Sequence, residues 1–330
     1  MPHQVTGRRT ILGAAAMAVL PVRHGALCAE AAWPARPLRV VVPFPPGQSM
    51  DVLPRLLGDI LSRRLAQPVV FENRPGGVGV PAMEAVARAA PDGHTLGVGS
   101  ISTLAVNPVL LPNLPYDVGR DLAPVARMFD VALAVVVHPS VPARTPQELV
   151  SWLRDNPGTR YASAGPATTP HLTAELFAHR LGLPLEHVPY RGSAPAMADL
   201  VAGVVPLMFD TAASALPQAR GGRVRLIAVT SAARLPRVPD TPTVGETVSP
   251  GFEAVAWGGL VAPAGTPAPL VETINAEIRT ALADPVLADR FAELGAVPVP
   301  ATAGEFAAFV RTEAAKWGEV VRTARIRLDG

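Results

Sequence analysis

Apolar residues in the first hundred positions form short continuous runs alternating with helical repeats. Residues 38–44 form an apolar run that only Arg39 interrupts, which is typical of a strand buried on both faces of a parallel sheet. Leucine and isoleucine then recur at helical spacing over residues 53–65. Further strands are predicted at 68–72 and 95–99, with a helix at 80–90. This order predicts a doubly wound α/β lobe.

The same alternation restarts after residue 130 and predicts a second α/β unit. The predicted strands are 132–137, 160–164, 186–189, 204–209 and 225–230, and the predicted helices are 146–156, 170–181 (with Thr169 as N-cap) and 194–201. Residues 234–250 are rich in proline and threonine and predict a surface connection. Three helices end the chain, and the last begins at a capping box formed by Thr302 and Glu305.

The N-terminus predicts an exported protein. Arg8 and Arg9 precede an uncharged apolar stretch at 10–22, which is too short to span a bilayer. Small residues at 29–32 predict cleavage there, so residues 1–32 are interpreted as a signal peptide, with the arginine pair also compatible with twin-arginine export. The expected location of the mature chain is the periplasm.

Removal of this segment changes the charge and cysteine counts. The whole chain has 29 basic and 27 acidic residues, and without Arg8, Arg9, Arg23 and Glu30 it has 26 of each. A near-neutral chain gives no support for a nucleic-acid partner. The sole cysteine, Cys28, lies in the signal segment. The mature chain is therefore expected to lack a disulfide, a thiol nucleophile and a thiolate metal site.

Four polar segments follow predicted strand ends, where open α/β sheets bind ligands. They are residues 43–51, the hydroxyl-rich 99–103, residues 161–171, and the pair 188–192 with 208–211. The first begins a helix, whose free backbone N–H groups suit an anion. Each segment alone is ordinary loop chemistry, but four of them in two lobes favour a ligand-binding cleft.

Enzyme signatures are weak in this sequence. It contains neither a G-x-S-x-G elbow nor a GK[ST] phosphate loop, and residues 76–79 lack the rest of a dinucleotide fingerprint. His171, His179 and His187 are spaced by eight, which does not match a zinc-binding H-E-x-x-H helix. Asp210 could act as a base, but no partnered nucleophile accompanies it.

Matching segments in order along the chain carry a family resemblance. They are 42–51, 72–76, 90–93, 114–117, 161–165, 187–192, 209–210, 239–244, 260–267 and 294–295. In these segments the chain resembles the Bug/TctC family, the periplasmic solute receptors of tripartite tricarboxylate transporters. The resemblance covers nearly the whole chain after residue 32.

The resemblance implies a clamp of the type II periplasmic-binding-protein kind, in which two crossing strands, near 127–139 and 252–265, join two doubly wound lobes. The implied first lobe is 33–130 plus 255–330, and the second is 131–254. The implied ligand is a small organic carboxylate held by amides, hydroxyls and waters. The implied binding residues are Phe44, Gly47, Gln48, Ser49, Ser100, Ser102, Thr103, Ser163, Gly165, Thr168, His171 and Asp210.

The same resemblance implies a monomer that docks on a membrane permease, with neither cofactor, metal nor catalytic residue. Two positions depart from the family pattern: Gln48 replaces a second glycine, and residues 166–169 replace a Gly/Ser-rich turn. Arg191 is expected at the rim of the site. Two alternatives stay open, namely a sensory receptor for a signalling partner and an exported enzyme that uses Asp210 or His171.

Overall fold

The computed structural model describes residues 1–4, 33–324 and 326. Apart from its first four residues, the predicted signal peptide lies outside the described residues. Within the described part of the chain, no helix combines the length and apolar character needed to cross a membrane.

The first lobe is built on three parallel strands in the order β2-β1-β3. They are β1 (Leu38–Val42), β2 (Val69–Asn73) and β3 (Thr95–Ser100), and helices α1 (Ser49–Leu65) and α2 (Val80–Ala87) connect them. Strand β1 ends two residues earlier than predicted, since Pro43 cannot donate a ladder hydrogen bond. Helix α2 likewise ends at Ala87 rather than at residue 90.

Strand β4 (Leu122–Val137) runs through both lobes. Its first part pairs antiparallel with β9 (Val255–Pro263), and from Leu133 onward it pairs with β7 (Leu207–Thr211) and β8 (Arg225–Val229). The prediction had placed the start of this strand ten residues too late. Polar residues and a proline within a register shift hide the earlier part from an apolar-run search.

The second lobe places β7 beside β5 (Thr159–Ser163), and β5 beside β6 (Leu185–Pro189), all parallel. Its helices are α4 (Pro146–Asp155), α5 (Thr169–Leu181), α6 (Ser193–Val201) and α7 (Ala212–Arg220). The sequence did not predict α7, because its Pro217 reads as a helix breaker. The N-cap of α5 is Thr168 rather than the predicted Thr169.

The remaining helices flank these sheets. A π-helical turn (Ile101–Val106) leads into α3 (Asn107–Leu110), and α8 (Val244–Thr247) interrupts the predicted surface connection. Helices α9 (Ala268–Leu282), α10 (Pro285–Glu293) and α11 (Ala303–Thr323) end the described chain, with β10 (Ala296–Pro298) pairing with β4. The predicted capping box of α11 is confirmed, since Thr302 Oγ1 accepts from Glu305 N at 3.2 Å.

Buried aromatic residues fasten α11 to the crossing strands. The indole nitrogens of Trp257 on β9 and Trp317 on α11 both donate to Glu313 Oε2, at 2.8 and 2.7 Å. Charge-assisted hydrogen bonds of this kind satisfy polar atoms in an otherwise apolar core. The structure therefore has two α/β lobes joined by shared strands, as predicted.

Candidate functional site

A cavity of about 1350 Å³ lies between the two lobes, where the carboxyl ends of their parallel strands face each other. Its volume exceeds the range of about 300–1,000 Å³ that is usual for ligand pockets, as expected of an open cleft. Both lobes contribute walls, through residues 43–50, 76–79, 100 and 102 on one side and most residues of 164–170, 190–198 and 210–218 on the other.

The loop that joins β1 to α1, residues 43–48, forms the first-lobe wall. Behind it, Asp51 is 3% exposed and accepts three hydrogen bonds. The donors are Gly47 N at 2.9 Å, Arg55 Nε at 2.9 Å and Asn73 Nδ2 at 2.7 Å. This carboxylate therefore determines where the loop backbone lies.

The pKa of Asp51 is lowered even though the side chain is buried. Burial acts to raise this pKa, but the hydrogen bonds from Asn73, Gly47 N–H and Arg55 outweigh it. The carboxyl group is therefore ionised at neutral pH. Asn73 Nδ2 extends the restraint to the loop, because it also donates to the carbonyl of Phe44 at 2.9 Å.

The π-helical turn after β3 supplies the polar floor of the first lobe. Ser100 N donates to Thr103 Oγ1 at 3.0 Å, which closes the start of the turn. Ser102 Oγ donates across the cleft to the carbonyl of Ala167 in the second lobe, at 3.1 Å. This turn therefore both lines the cavity and links the two lobes.

Gly79 packs directly against this turn. Its φ is 83°, and an added Cβ would lie 2.6 Å from Thr103 Cγ2 and 2.9 Å from Pro43 Cβ. Both separations are shorter than van der Waals contact. Glycine is required here because the backbone must pass close to the turn and to the first-lobe loop.

The loop that joins β5 to α5, residues 165–168, forms part of the second-lobe wall. Ala167 has a φ of 55°, a left-handed conformation that is unusual for a residue other than glycine. Its N–H donates to His171 Nδ1 at 3.0 Å, and Gly165 N donates to Ser163 Oγ at 3.2 Å. Buried side chains below the loop therefore hold its backbone.

Two histidines stack beneath this loop. The ring centroids of His171 and His187 lie 3.8 Å apart at an interplanar angle of 9°, and the Tyr161 ring also stacks against His187, with centroids 5.0 Å apart. His187 Nε2 is 2.6 Å from Ser163 Oγ. Burial, together with the neighbouring His187, lowers the pKa of His171 to about 3, and burial lowers the pKa of His187 to about 4. Both imidazoles are therefore neutral at pH 7.

Asp210, at the end of β7, is fully buried. Its Oδ1 accepts from Ser193 Oγ and from Thr211 N, both at 2.8 Å, while Oδ2 has no hydrogen-bond partner within the described chain. Burial raises the pKa of Asp210, and the neighbouring hydroxyl and amide donors only partly oppose this. The carboxyl group thus holds the starts of α6 and α7 beside the cavity.

Five helix starts at the cavity lack the side-chain cap that four other helix starts in residues 33–324 have. Side chains cap α4, α8, α10 and α11, through Thr145, Thr243, Asp284 and Thr302. By contrast, α1, α2, α5, α6 and α7 have no side-chain cap, and their N-cap residues, Gln48, Gly79, Thr168, Gly192 and Thr211, all line the cavity. The exceptions to this division are α3 and α9, which lack a side-chain cap away from the cavity, and the π-helical turn, which Ser100 caps at the cavity.

These five helix starts converge on one space. The first N–H groups of a helix have no partner inside the helix, and the helix dipole places partial positive charge there. Where a capping side chain is lacking, a bound anion can take its place. The arrangement therefore suits a negatively charged ligand that is recognised by backbone amides and hydroxyls.

The structure brings most of the predicted binding residues together. Nine of the twelve line the cavity: Phe44, Gly47, Gln48, Ser49, Ser100, Ser102, Gly165, Thr168 and Asp210. Thr103, Ser163 and His171 lie behind its walls, where they hold the π-helical turn and the 165–168 loop. Contact of any of the twelve with a ligand stays a prediction.

Sequence reasoning missed several lining residues. Ser193 and Ser214 bring hydroxyls to the cavity, and the 76–79 turn brings backbone. Ser193 directly follows a quoted motif, and Ser214 lies four residues after Asp210, so a search one helical turn beyond each strand end would have found both. The 76–79 turn carries no side-chain signal, because three of its four residues are glycine.

Comparison with known proteins gives the chain a family. Residues 53–326 match the family described as "Tripartite tricarboxylate transporter family receptor". The chain is 38% identical over 298 residues to Protein BugT of Bordetella pertussis, covering 90% of this chain and 91% of that protein. The matched family consists of receptors, which confirms that the chain is a binding protein and not an enzyme.

Solved structures give the same result. A protein of R. palustris solved with adipate is 33% identical, with a TM-score of 0.82 over 89% of this chain and 99% of that chain. MatC from Rhodopseudomonas palustris, with bound malate, is 34% identical, with a TM-score of 0.76 over 88% of this chain and all of that chain. These similarities confirm the two-lobed fold.

Proposed function

Because the chain belongs to the tripartite tricarboxylate transporter receptor family, we propose that it is an extracytoplasmic receptor that captures a small organic carboxylate in the interlobe cavity. The observation that carries this proposal is the convergence of five helix starts without side-chain caps on that cavity. Adipate and malate, the acids bound to two solved relatives, belong to the same chemical class.

Neutral donors are expected to recognise the carboxylate. Hydrogen bonds to a charged group contribute roughly 1.5–3 kcal/mol each, so a few backbone amides and hydroxyls provide useful affinity. The cations at the cavity, Arg191 and Arg223, are exposed, and neither forms an ion pair among the described residues. They are suited to attracting an anion toward the cleft from a distance.

Capture should involve closure of the lobes about the crossing strands β4 and β9. We propose lobe boundaries at 33–130 with 255–330 and at 131–254, and the change of β4 partners between Ala132 and Leu133 supports them. Hinge closure of this kind is usual for two-lobed binding proteins. The proposed destination of the bound acid is the permease of a tripartite transporter, which a monomeric receptor meets in the periplasm after loss of residues 1–32.

A screen by thermal unfolding and calorimetry tests the ligand class. Mono-, di- and tricarboxylates are added to the purified full chain, with matching alcohols and amides as uncharged controls. A true ligand at about 100 times its dissociation constant adds roughly 2.7 kcal/mol to the free energy of unfolding, which raises the melting temperature measurably. Stabilisation by the uncharged analogues but not by the acids would contradict the proposal.

A pair of substitutions tests the anion site directly. Thr168→Asp places a carboxylate at a helix start on the cavity, where it caps α5 and competes with an anionic ligand. Thr145→Asp makes the same change at the start of α4, away from the cavity. Binding of an acid identified in the screen should be lost in Thr168→Asp and kept in Thr145→Asp. Equal binding by both variants would exclude the α5 start as part of the site.

A further inference from the structure

The 165–168 loop lies at the junction between ligand cavity, interlobe contact and buried histidines. Its residues Gly165 and Thr168 line the cavity, and its Ala167 carbonyl accepts the hydrogen bond from Ser102 of the first lobe. Its conformation is not intrinsically favoured, because Ala167 is held in the left-handed region. Something below the loop must therefore stabilise it.

The stacked imidazoles provide that stabilisation in their neutral form only. His171 Nδ1 accepts a hydrogen bond from Ala167 N, so that nitrogen must carry no proton. A proton on Nδ1 would turn it into a donor and place two N–H groups opposite each other. Protonation would also put positive charge into a stack whose rings are 3.8 Å apart.

The groups around the pair compensate for such a charge only in part. Glu175 Oε1 lies 3.8 Å from His171 Nε2, which is longer than a hydrogen bond, and it also accepts a hydrogen bond from Tyr161 OH at 2.5 Å. Charged side chains on the elements packed around the pair have other partners. Arg160 of β5 donates to Val204 O, and Asp199 of α6 accepts from Tyr190. Asp210 of β7 accepts from Ser193, and Glu313 and Lys316 of α11 pair with each other. Glu186 of β6 approaches Gly158.

From this geometry we propose that His171 and His187 are positioning residues that hold the 165–168 loop in its cavity-lining, lobe-bridging form, and that protonation of the pair releases the loop and the Ser102 bridge. The role in ligand capture rests on the proposed function of the cavity. The hydrogen-bond linkage itself does not.

The direction of the pH effect follows from the two forms. While the 165–168 loop is in its cavity-lining form, the pKa values of His171 and His187 are about 3 and about 4. When the loop is released and water reaches the rings, the pKa values return to about 6.5. An imidazole whose pKa is lower in the cavity-lining form than in water stabilises that form at pH values above the pKa in water, about 6.5. This stabilisation is lost as the pH falls from about 6.5 toward the pKa values of the cavity-lining form.

Hydrogen exchange of the full chain without added ligand tests the proposal. The exchange is measured by mass spectrometry at pH 7.5 and 5.0, and the rates are corrected for the intrinsic pH dependence of exchange. Opening of the 165–168 loop should increase at least about tenfold at pH 5.0, since each released imidazole gains a proton. Residues 100–104 should open in parallel, because Ser102 loses its acceptor. Opening of the loop alone would overturn the lobe-bridging part of the proposal, and unchanged loop protection would overturn all of it.

Two isosteric substitutions separate protonation from simple packing. In His171→Asn the side-chain oxygen stands where Nδ1 accepts from Ala167, and in His187→Gln the amide nitrogen stands where Nε2 meets Ser163, yet neither side chain titrates. Each variant should keep the loop protected at pH 7.5 and show a smaller pH effect than the parent chain. His171→Ala should be unprotected at both pH values. A full pH effect in both isosteric variants would refute the proposal.

This measurement and the carboxylate screen fail independently. Loss of pH-dependent exchange with intact acid binding would refute the histidine switch and leave the receptor function in place. An intact switch in a chain that stabilises with no carboxylate would refute the proposed ligand class instead.

Discussion

The two walls of the cavity hold similar loops by opposite chemistry. In the first lobe, an ionised carboxylate, Asp51, accepts from the loop backbone and from Arg55 and Asn73. In the second lobe, neutral His171 and the hydroxyl of Ser163 hold the 165–168 loop. In both walls, the first backbone N–H groups of the following helix, α1 or α5, are available to bind an anion.

Because of this difference, the two walls lose their stabilisation at different pH values. The pKa of Asp51 is lowered in the folded chain, so its stabilisation is present above the ordinary aspartate value of about 3.9 and is lost only as the pH falls through the lowered value. The histidine-held wall weakens at much milder acidity. A receptor built in this way keeps its first-lobe wall intact while its second-lobe wall responds to pH.

Removal of the first-lobe carboxylate should have the largest effect. Asp51→Ala removes the acceptor of the Gly47 amide and of Arg55 Nε and one of the two acceptors of Asn73 Nδ2, and we expect a loss of about 3 kcal/mol in the free energy of unfolding together with loss of acid binding. Asp59→Ala, an exposed site on the same helix, is the matched control. Chemical denaturation and calorimetry measure both. If Asp51→Ala behaved like Asp59→Ala, the charged-wall account would be wrong.

A methyl group at Gly79 should have the next largest effect. Gly79→Ala combines a positive φ with overlaps onto Thr103 and Pro43, for an expected cost of about 2 kcal/mol. Gly182→Ala serves as the control, because Gly182 also has a positive φ but has open space at its Cβ, so about 1 kcal/mol is expected. Thermal unfolding compares them. If the two variants lost the same free energy of unfolding, the 76–79 turn would have to shift enough to accommodate the added methyl group.

Two hydroxyls of the π-helical turn should separate binding from folding. Ser102→Ala removes the link to Ala167 and should weaken acid binding about tenfold, which corresponds to roughly 1.4 kcal/mol. Thr103→Val removes a hydrogen bond inside the turn, and its main effect should be on the melting temperature. Calorimetry and thermal unfolding of both variants decide this. The reverse pattern would place Thr103 rather than Ser102 at the ligand.

The smallest effect is expected at the rim of the second-lobe wall. Arg191 is exposed and forms no ion pair within the described chain, so Arg191→Gln should change affinity less than about threefold, mainly at low salt. Calorimetry at two salt concentrations measures this. Abolished binding in Arg191→Gln, with normal binding in Ser102→Ala, would replace the neutral-donor site with a salt-bridged one.

Short-range features of this fold could be predicted from sequence because neighbouring residues encode them. Buried parallel strands appear as apolar runs, as at β1, and the capping box of Thr302 and Glu305 lies within one helical turn. The polar segments at strand ends also lie together at the cavity, since the carboxyl ends of parallel strands share one edge of a sheet, and nine of the twelve residues that the family resemblance implied line it.

Local patterns misled where a proline or a polar residue was accommodated by tertiary contacts. Pro124 lies in a register shift of β4 that its pairing with β9 tolerates, and Pro217 lies inside α7. Sequence patterns weigh such residues as breakers. Neighbouring elements stabilised the strand and the helix in spite of them.

What the sequence by itself determined was the α/β alternation, the positions of most helices and strands, and the polar segments at strand ends. Only the tertiary structure decided which helix starts share a cavity, that Ser102 reaches Ala167 sixty-five residues away, and that His171 stacks on His187. The physical reason is range. Periodicity and capping depend on atoms a few residues apart, whereas a hydrogen bond across the cleft, or a stack between a helix and a strand, exists only after those elements have packed and fixed the distance.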